Sequence, residues 1–124
     1  GWGTASAAEY IAPIELGVNS SRVGTLAPSA RLYYEISVPY FEAADDHLLV
    51  ITGIVTNGGI AVYMLRGSWG QSQDIPSEEN NDFMSDSAGN KATERILIIA
   101  EPSEKLKLTV EAPASTMLGT ANDY

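Results

Sequence analysis

Cysteine is absent from the 124 residues, which excludes a disulfide framework, a thiol nucleophile and a thiolate metal site. Histidine occurs once, at His47. A triad or a histidine general base thus has a single candidate, beside Asp45 and Asp46. One histidine at a strand start next to loop acids reads first as a solvated boundary residue. Basic residues are scarce, seven against sixteen acidic, for a net charge of −9. Such a field repels nucleic acid and anionic membranes, so neither is an expected partner. No apolar run approaches the ~20 residues of a membrane-spanning helix. The G-x-S-x-G, H-E-x-x-H, P-loop and dinucleotide motifs are missing. An enzyme is not expected.

What the chain has is alternation. In Arg31–Pro39, Leu32, Tyr34, Ile36 and Val38 share one face, while Arg31, Tyr33, Glu35 and Ser37 share the other. That is the period-2 pattern of a half-buried strand. Residues 9–16 alternate too, with Tyr10, Ala12, Ile14 and Leu16 on one side, and Pro13 marks this stretch as an edge or added strand. Short strands are expected at Arg22–Leu26 and, after Pro113, at Ser115–Thr120. His47–Val55 and Glu94–Glu101 are apolar on both faces and predict central strands. Asn57-Gly58-Gly59 accepts positive φ cheaply and predicts a hairpin between His47–Val55 and Ile60–Arg66. Lys105–Ala112 places Leu106, Leu108 and Val110 inward, with Lys105, Lys107, Thr109 and Glu111 outward. Residues 71–90 read as a long acidic loop, with a short strand or turn near Ile75 or Phe83. The sum is an all-β chain, a single β-sandwich or jelly roll of seven to nine antiparallel strands with an extra N-terminal strand.

The order of these elements resembles the bacterial pre-peptidase C-terminal (PPC-like) module. The resemblance rests on Leu16-Gly17, Val23–Leu26, Tyr34–Pro39, Leu48–Thr52, Val62–Leu65, Asn90–Ile98 and Leu106–Val110, and spans residues 14 to 112. Ala61 stands where the family often carries an acid, and Lys105–Lys107 replaces its usual Gly-Tyr-Tyr. The resemblance implies a domain over 17–124, preceded by an N-terminal extension over 1–16. It also implies that calcium is a conceivable ligand, since some members of the family bind it.

Three groups of side chains are candidate sites. Asp74, Glu78, Glu79, Asp82 and Asp86 offer the hard oxygen ligands that calcium prefers, although their spacing is not that of an EF-hand. No other cofactor is expected. Trp69 and Tyr63 are candidates for stacking on a glycan, with cross-strand packing the plainer role for Tyr63. Asn19 begins an N-x-S sequon in a turn.

Two functions follow. The first is a structural subunit of an extracellular or cell-surface filament, a homopolymer whose N-terminal strand adds to the sheet edge of the next copy. Strand addition satisfies open backbone groups and seats alternate side chains in pockets. A head-to-tail contact that does not close makes a filament. Trp2, Tyr10, Ile11, Ile14 and Leu16 are the expected interface residues. The Gly1-Trp2-Gly3 start, without methionine, is expected to be a processed end packed on a neighbour. The alternative is a carbohydrate- or protein-binding accessory module of a secreted hydrolase, cut from a longer chain.

Overall fold

A computed structural model describes residues 11–42, 44–70, 74–87, 89–114 and 121–124. Trp2, Tyr10 and the strand expected at Ser115–Thr120 lie outside the described residues. Among the described residues nine strands follow in order: β1 (Ile14–Gly17), β2 (Thr25–Leu26), β3 (Arg31–Ser37), β4 (His47–Gly53), β5 (Ala61–Arg66), β6 (Phe83–Ser85), β7 (Glu94–Ala100), β8 (Lys105–Glu111) and β9 (Asn122–Asp123). They form a five-stranded sheet in the order β1-β3-β8-β5-β6, a β4–β7 pair and a small β2–β9 pair. The protein is an all-β sandwich.

The alternating strands bury the side chains that their period assigned inward. Tyr34, Ile36, Leu106, Leu108, Val110, Val62 and Met64 from the large sheet meet Ile96, Ile98 and Ala100 of β7 in one core. β3 and β8 run antiparallel over seven residue pairs, Arg31 opposite Glu111 through Ser37 opposite Lys105. Arg31 and Glu111 are ion-paired across that ladder. Opposite charges directly across a pair stabilise a sheet by roughly 0.2–1 kcal/mol.

Four expectations need correction. The β4–β5 hairpin does not form: β4 pairs with β7, from His47 opposite Ala100 to Gly53 opposite Glu94, and β5 pairs with β8 and β6. The turn at Asn57–Gly59 exists, but the C-terminal tail takes its hydrogen bonds. Thr56 N donates to Asp123 O and Asp123 N to Asn57 O, and Gly59 N donates to Asn122 Oδ1 at 3.0 Å. Gly58, at φ 74°, has no room for a side chain there, since a Cβ would lie 2.2 Å from Asn122 Oδ1. The chain therefore crosses from one sheet to the other, with Val55 and Ile60 buried at the crossing.

The second correction concerns centrality. β4 and β7 are not central, since among the described residues their sheet has only two strands, and their outward side chains Leu48, Val50, Leu97 and Ile99 are exposed. Third, β1 runs parallel to β3, Ile14 opposite Tyr34 through Gly17 opposite Ser37, so one strand pair departs from an all-antiparallel pattern. A boundary between residues 16 and 17 would cut this strand. Fourth, the strand expected over Arg22–Leu26 shortens to Thr25–Leu26, and its partner is β9. Of the strand or turn expected near Ile75 or Phe83, the structure has a strand at Phe83–Ser85, β6.

Candidate binding surfaces

The outer face of the five-stranded sheet is covered by the segment after β5. Lys107 and Thr109, outward on β8, are 1 % and 0 % exposed. Trp69 accounts for much of that cover. Its indole N–H donates to Tyr34 O at 2.8 Å and its backbone N–H to Glu35 Oε2 at 3.1 Å. Its ring meets Tyr33 edge-on at 5.4 Å between centroids, and the Lys107 ammonium lies 5.7 Å above it. Lys107 Nζ also donates to Asp74 O at 2.7 Å. Burial lowers the pKa of this ammonium, and Asp74 and Asp82 oppose the shift. Pro76 is fully buried beneath the same segment. Trp69 therefore pins a strap onto the sheet, half-buried between Gly67 and Gly70, and does not present a free ring face.

The five acids of the candidate calcium group are spread from this strap, at Asp74, to the residue after β6, Asp86. Asp82 Oδ2 accepts from Arg66 N at 2.9 Å, while Glu78, Glu79 and Asp86 are exposed. Among the described residues no three His, Asp or Glu side chains gather as a metal site. His47 stacks on Phe41 at 3.9 Å between ring centroids. Asn19 sits in an exposed turn with φ 65°.

The β4–β7 sheet is the opposite case. Its outer face carries two cross-strand pairs, Leu48 with Ile99 and Val50 with Leu97. These four side chains are 47–58 % exposed, a contiguous aliphatic ladder in water. Such patches mark interaction sites on soluble proteins. The other edge of β4 has no backbone partner among the described residues. Beside that edge, between β4 and the β1 turn, a slot of about 160 Å³ opens into the core. Leu16, Tyr34, Leu49, Ile51, Val110 and Tyr124 are among its walls. It is smaller than the ~300–1,000 Å³ of typical small-molecule sites and suits a single side chain.

Tyr124 closes the floor of the slot. Its hydroxyl shares a hydrogen bond of 2.5 Å with that of Tyr34, and burial, then that bond, raise its pKa. Asn122, fully buried, donates to Leu26 O at 3.0 Å and accepts from Gly59 N. The sequence gives little warning of this clamp, because a four-residue tail has no periodicity to read.

Of the expected interface residues, Ile14 and Leu16 are used within their own chain, in β1, with Leu16 packed on the core. Ile11 is half-buried ahead of that strand. Tyr63 is 3 % exposed, its ring packed in the sheet. The ladder of Leu48, Val50, Leu97 and Ile99 was visible as a two-sided apolar pattern, which alone does not say which face meets water.

The sandwich is similar to one solved structure, the pre-peptidase C-terminal domain of a collagenase from Bacillus anthracis. The TM-score is 0.59 over 90 % of each chain, at 13 % sequence identity. The fold is therefore PPC-like, as the order of elements implied. No protein-family model matches the chain, and no curated protein sequence does.

Proposed function

We propose that this protein is a non-catalytic structural subunit that polymerises outside the cell, with the N-terminal segment of one copy adding to the free edge of β4 in the next. The observation that carries this reading is the pairing of an open strand edge with an apolar slot. An open edge offers a row of unpaired N–H and C=O groups to an incoming strand, and the slot beside it offers a seat for one large side chain. Residues 1–13 supply the donor, because β1 is already paired with β3. Trp2 and Tyr10 lie on one face of that segment if it is extended, with alternate residues facing the same way, and are the side chains proposed for the slot. Leu48, Val50, Leu97 and Ile99 would be covered as copies stack.

A second reading, an accessory binding module of a secreted hydrolase, is favoured by the fold shared with a collagenase domain. It receives less support from the aromatic side chains first considered for it, since Trp69 and Tyr63 are packed.

Deletion of residues 1–10 separates the two. The full chain is expected to form fibres by negative stain and a high-mass species by light scattering, and the shortened chain to remain a folded monomer. Fibres from the shortened chain, or a full chain that stays monomeric at high concentration, would sink the filament reading.

A further inference from the structure

The aliphatic ladder on the outer face of β4 and β7 carries charge at both ends, and the signs differ. Beyond the pairs Leu48–Ile99 and Val50–Leu97, the next outward pair toward one end is Thr52 opposite Arg95. Arg95 is exposed, and among the described residues its guanidinium has no ion-pair or hydrogen-bond partner. Toward the other end stand Asp46, just before β4, and Glu101, just after β7, both exposed. Their carboxylates also have no partner among the described residues. Arg66, whose guanidinium donates to Ile99 O near that end, is already paired with Glu104. The surface thus runs from a free cation, across four aliphatic side chains, to two free carboxylates.

Such a surface complements itself. Consider a second copy turned by half a revolution about an axis lying across the strands at the level of the Leu49–Ile98 pair. It faces the first copy with its strands antiparallel. Arg95 of each copy then lies over Glu101 of the other, Leu97 over Ile99 and Leu48 over Val50, because the two members of each set are equally spaced about that level. The parallel arrangement would set Arg95 on Arg95 and Glu101 on Glu101, and like-charge juxtaposition across a contact is costly. Aligned sheets pack about 10 Å apart with their side chains interdigitated, so the four aliphatic side chains of each copy would leave water together.

We propose that the β4–β7 face docks on the same face of a second copy, with the strands antiparallel and Arg95 of each copy against Glu101 of the other. Each copy lends the same patch, which is an isologous contact. It gives the apolar cover proposed above an orientation. It uses the face of β4 and not its edge, so it stands or falls apart from strand addition. Two seven-residue strands present roughly 23 Å by 10 Å, well short of the ~800 Å² per partner of a stable interface. Isolated copies therefore pair weakly, with a dissociation constant on the order of 1 mM. The contact gains strength where many copies present the face together.

Zero-length cross-linking of the full chain at millimolar concentration tests the pairing. Arg95→Lys keeps the charge and supplies an amine, which a carbodiimide joins to a carboxylate as an amide while taking up the water lost. Positions 95 and 101 lie about 20 Å apart along one strand, so a cross-link between them forms only between copies. That link is expected to exceed links from the same amine to the exposed Glu78 and Glu79 by about fivefold or more, as positioned groups react faster than colliding ones. No 95–101 link, or one no more abundant than those to Glu78 and Glu79, would overturn the proposal. Charge exchange is the second arm, read as weight-average mass by light scattering. Arg95→Glu and Glu101→Arg should each lower the mass, and both together in one chain should raise it above either single variant. Glu101→Arg makes the chain less acidic, so an effect of net charge alone would raise the mass. Such a rise, or no recovery in the combined variant, would also overturn the proposal. Fibres without the 95–101 link would remove this pairing and leave strand addition standing, and linked pairs without fibres would do the reverse.

Discussion

The two faces of this sandwich that point away from the core have exchanged the characters their sequences suggest. On β8 the outward residues are Lys105, Lys107, Thr109 and Glu111, a polar set, yet Lys107 and Thr109 are sealed from water. On β4 and β7 the outward residues include Leu48, Val50, Leu97 and Ile99, an apolar set, and they are half in water. The difference comes from the connections. The segment after β5 folds back over the large sheet and is pinned by Trp69, whereas no described segment crosses the β4–β7 pair. Alternation thus fixes which residues share a face, while the connections fix what covers it. A polar face under a strap must satisfy its groups internally, and among the described residues the Thr109 hydroxyl has no partner. An apolar face left open is costly unless something else covers it, which is why the assembly reading centres on β4 and β7.

The comparison breaks first at Trp69. Trp69→Ala removes the indole bond to Tyr34 O and the edge contact with Tyr33, and it uncovers Lys107. A loss of about 3 kcal/mol is expected from large-to-small truncation with a broken hydrogen bond, read as a lower midpoint in urea. A loss under about 0.5 kcal/mol, the range of ordinary surface changes, would mean that the strap does not hold the large sheet's outer face.

Lys107 sharpens the same contrast through pH. Its folded pKa lies below the ordinary lysine value, so the folded state carries a penalty while the ammonium is charged. That penalty is relieved as pH rises through the lowered folded pKa toward 10.5, the value in the unfolded chain. Lys107→Met keeps the buried volume and removes the charge. At pH 7 it should leave stability unchanged or raise it by on the order of 1 kcal/mol. Its advantage over the native chain should shrink toward pH 10 in paired denaturation curves. A large loss at pH 7, or an advantage that grows with pH, would show that the charged lysine is a net stabiliser of the strap.

The smallest stability effect is expected on the other face. Leu97→Lys adds a charge to an exposed ladder and should change stability by no more than about 0.5 kcal/mol. The same substitution should markedly reduce sedimentable polymer in the full chain. Normal assembly by the variant would remove the β4–β7 face from the contact, and a large loss of stability would mean that the face is covered within the monomer.

Much of the fold was legible in the residues. The alternation of Arg31–Ser37 and Lys105–Glu111 located β3 and β8 and their inward sets, because a strand's period of two is local and needs no partner to be seen. The acidic stretch was legible from its composition, which leaves open whether it holds a strand or a turn, and whether near Ile75 or Phe83. Pairing was not legible. Asn57-Gly58-Gly59 has the chemistry of a hairpin turn, but the hydrogen bonds of that turn go to Asn122 and Asp123, more than sixty residues away in sequence. The candidate sites fared similarly. Trp69 and Tyr63 were singled out as aromatics that could stack on a glycan, and the packing of Trp69 depends on a strap whose path no local pattern encodes.

The sequence by itself determined an all-β chain, the inward face of its principal strands, the order of elements shared with PPC-like domains and a strongly acidic surface. Each follows from composition or from short-range periodicity. Only the tertiary structure decided that β4 joins β7, that β1 lies parallel to β3, that the C-terminal tail locks the crossing between sheets, and that the polar side of one sheet is dry while the apolar side of the other is wet. These are matters of which distant groups compete for the same hydrogen bonds and the same shelter from water, and that competition is settled only when the whole chain is folded.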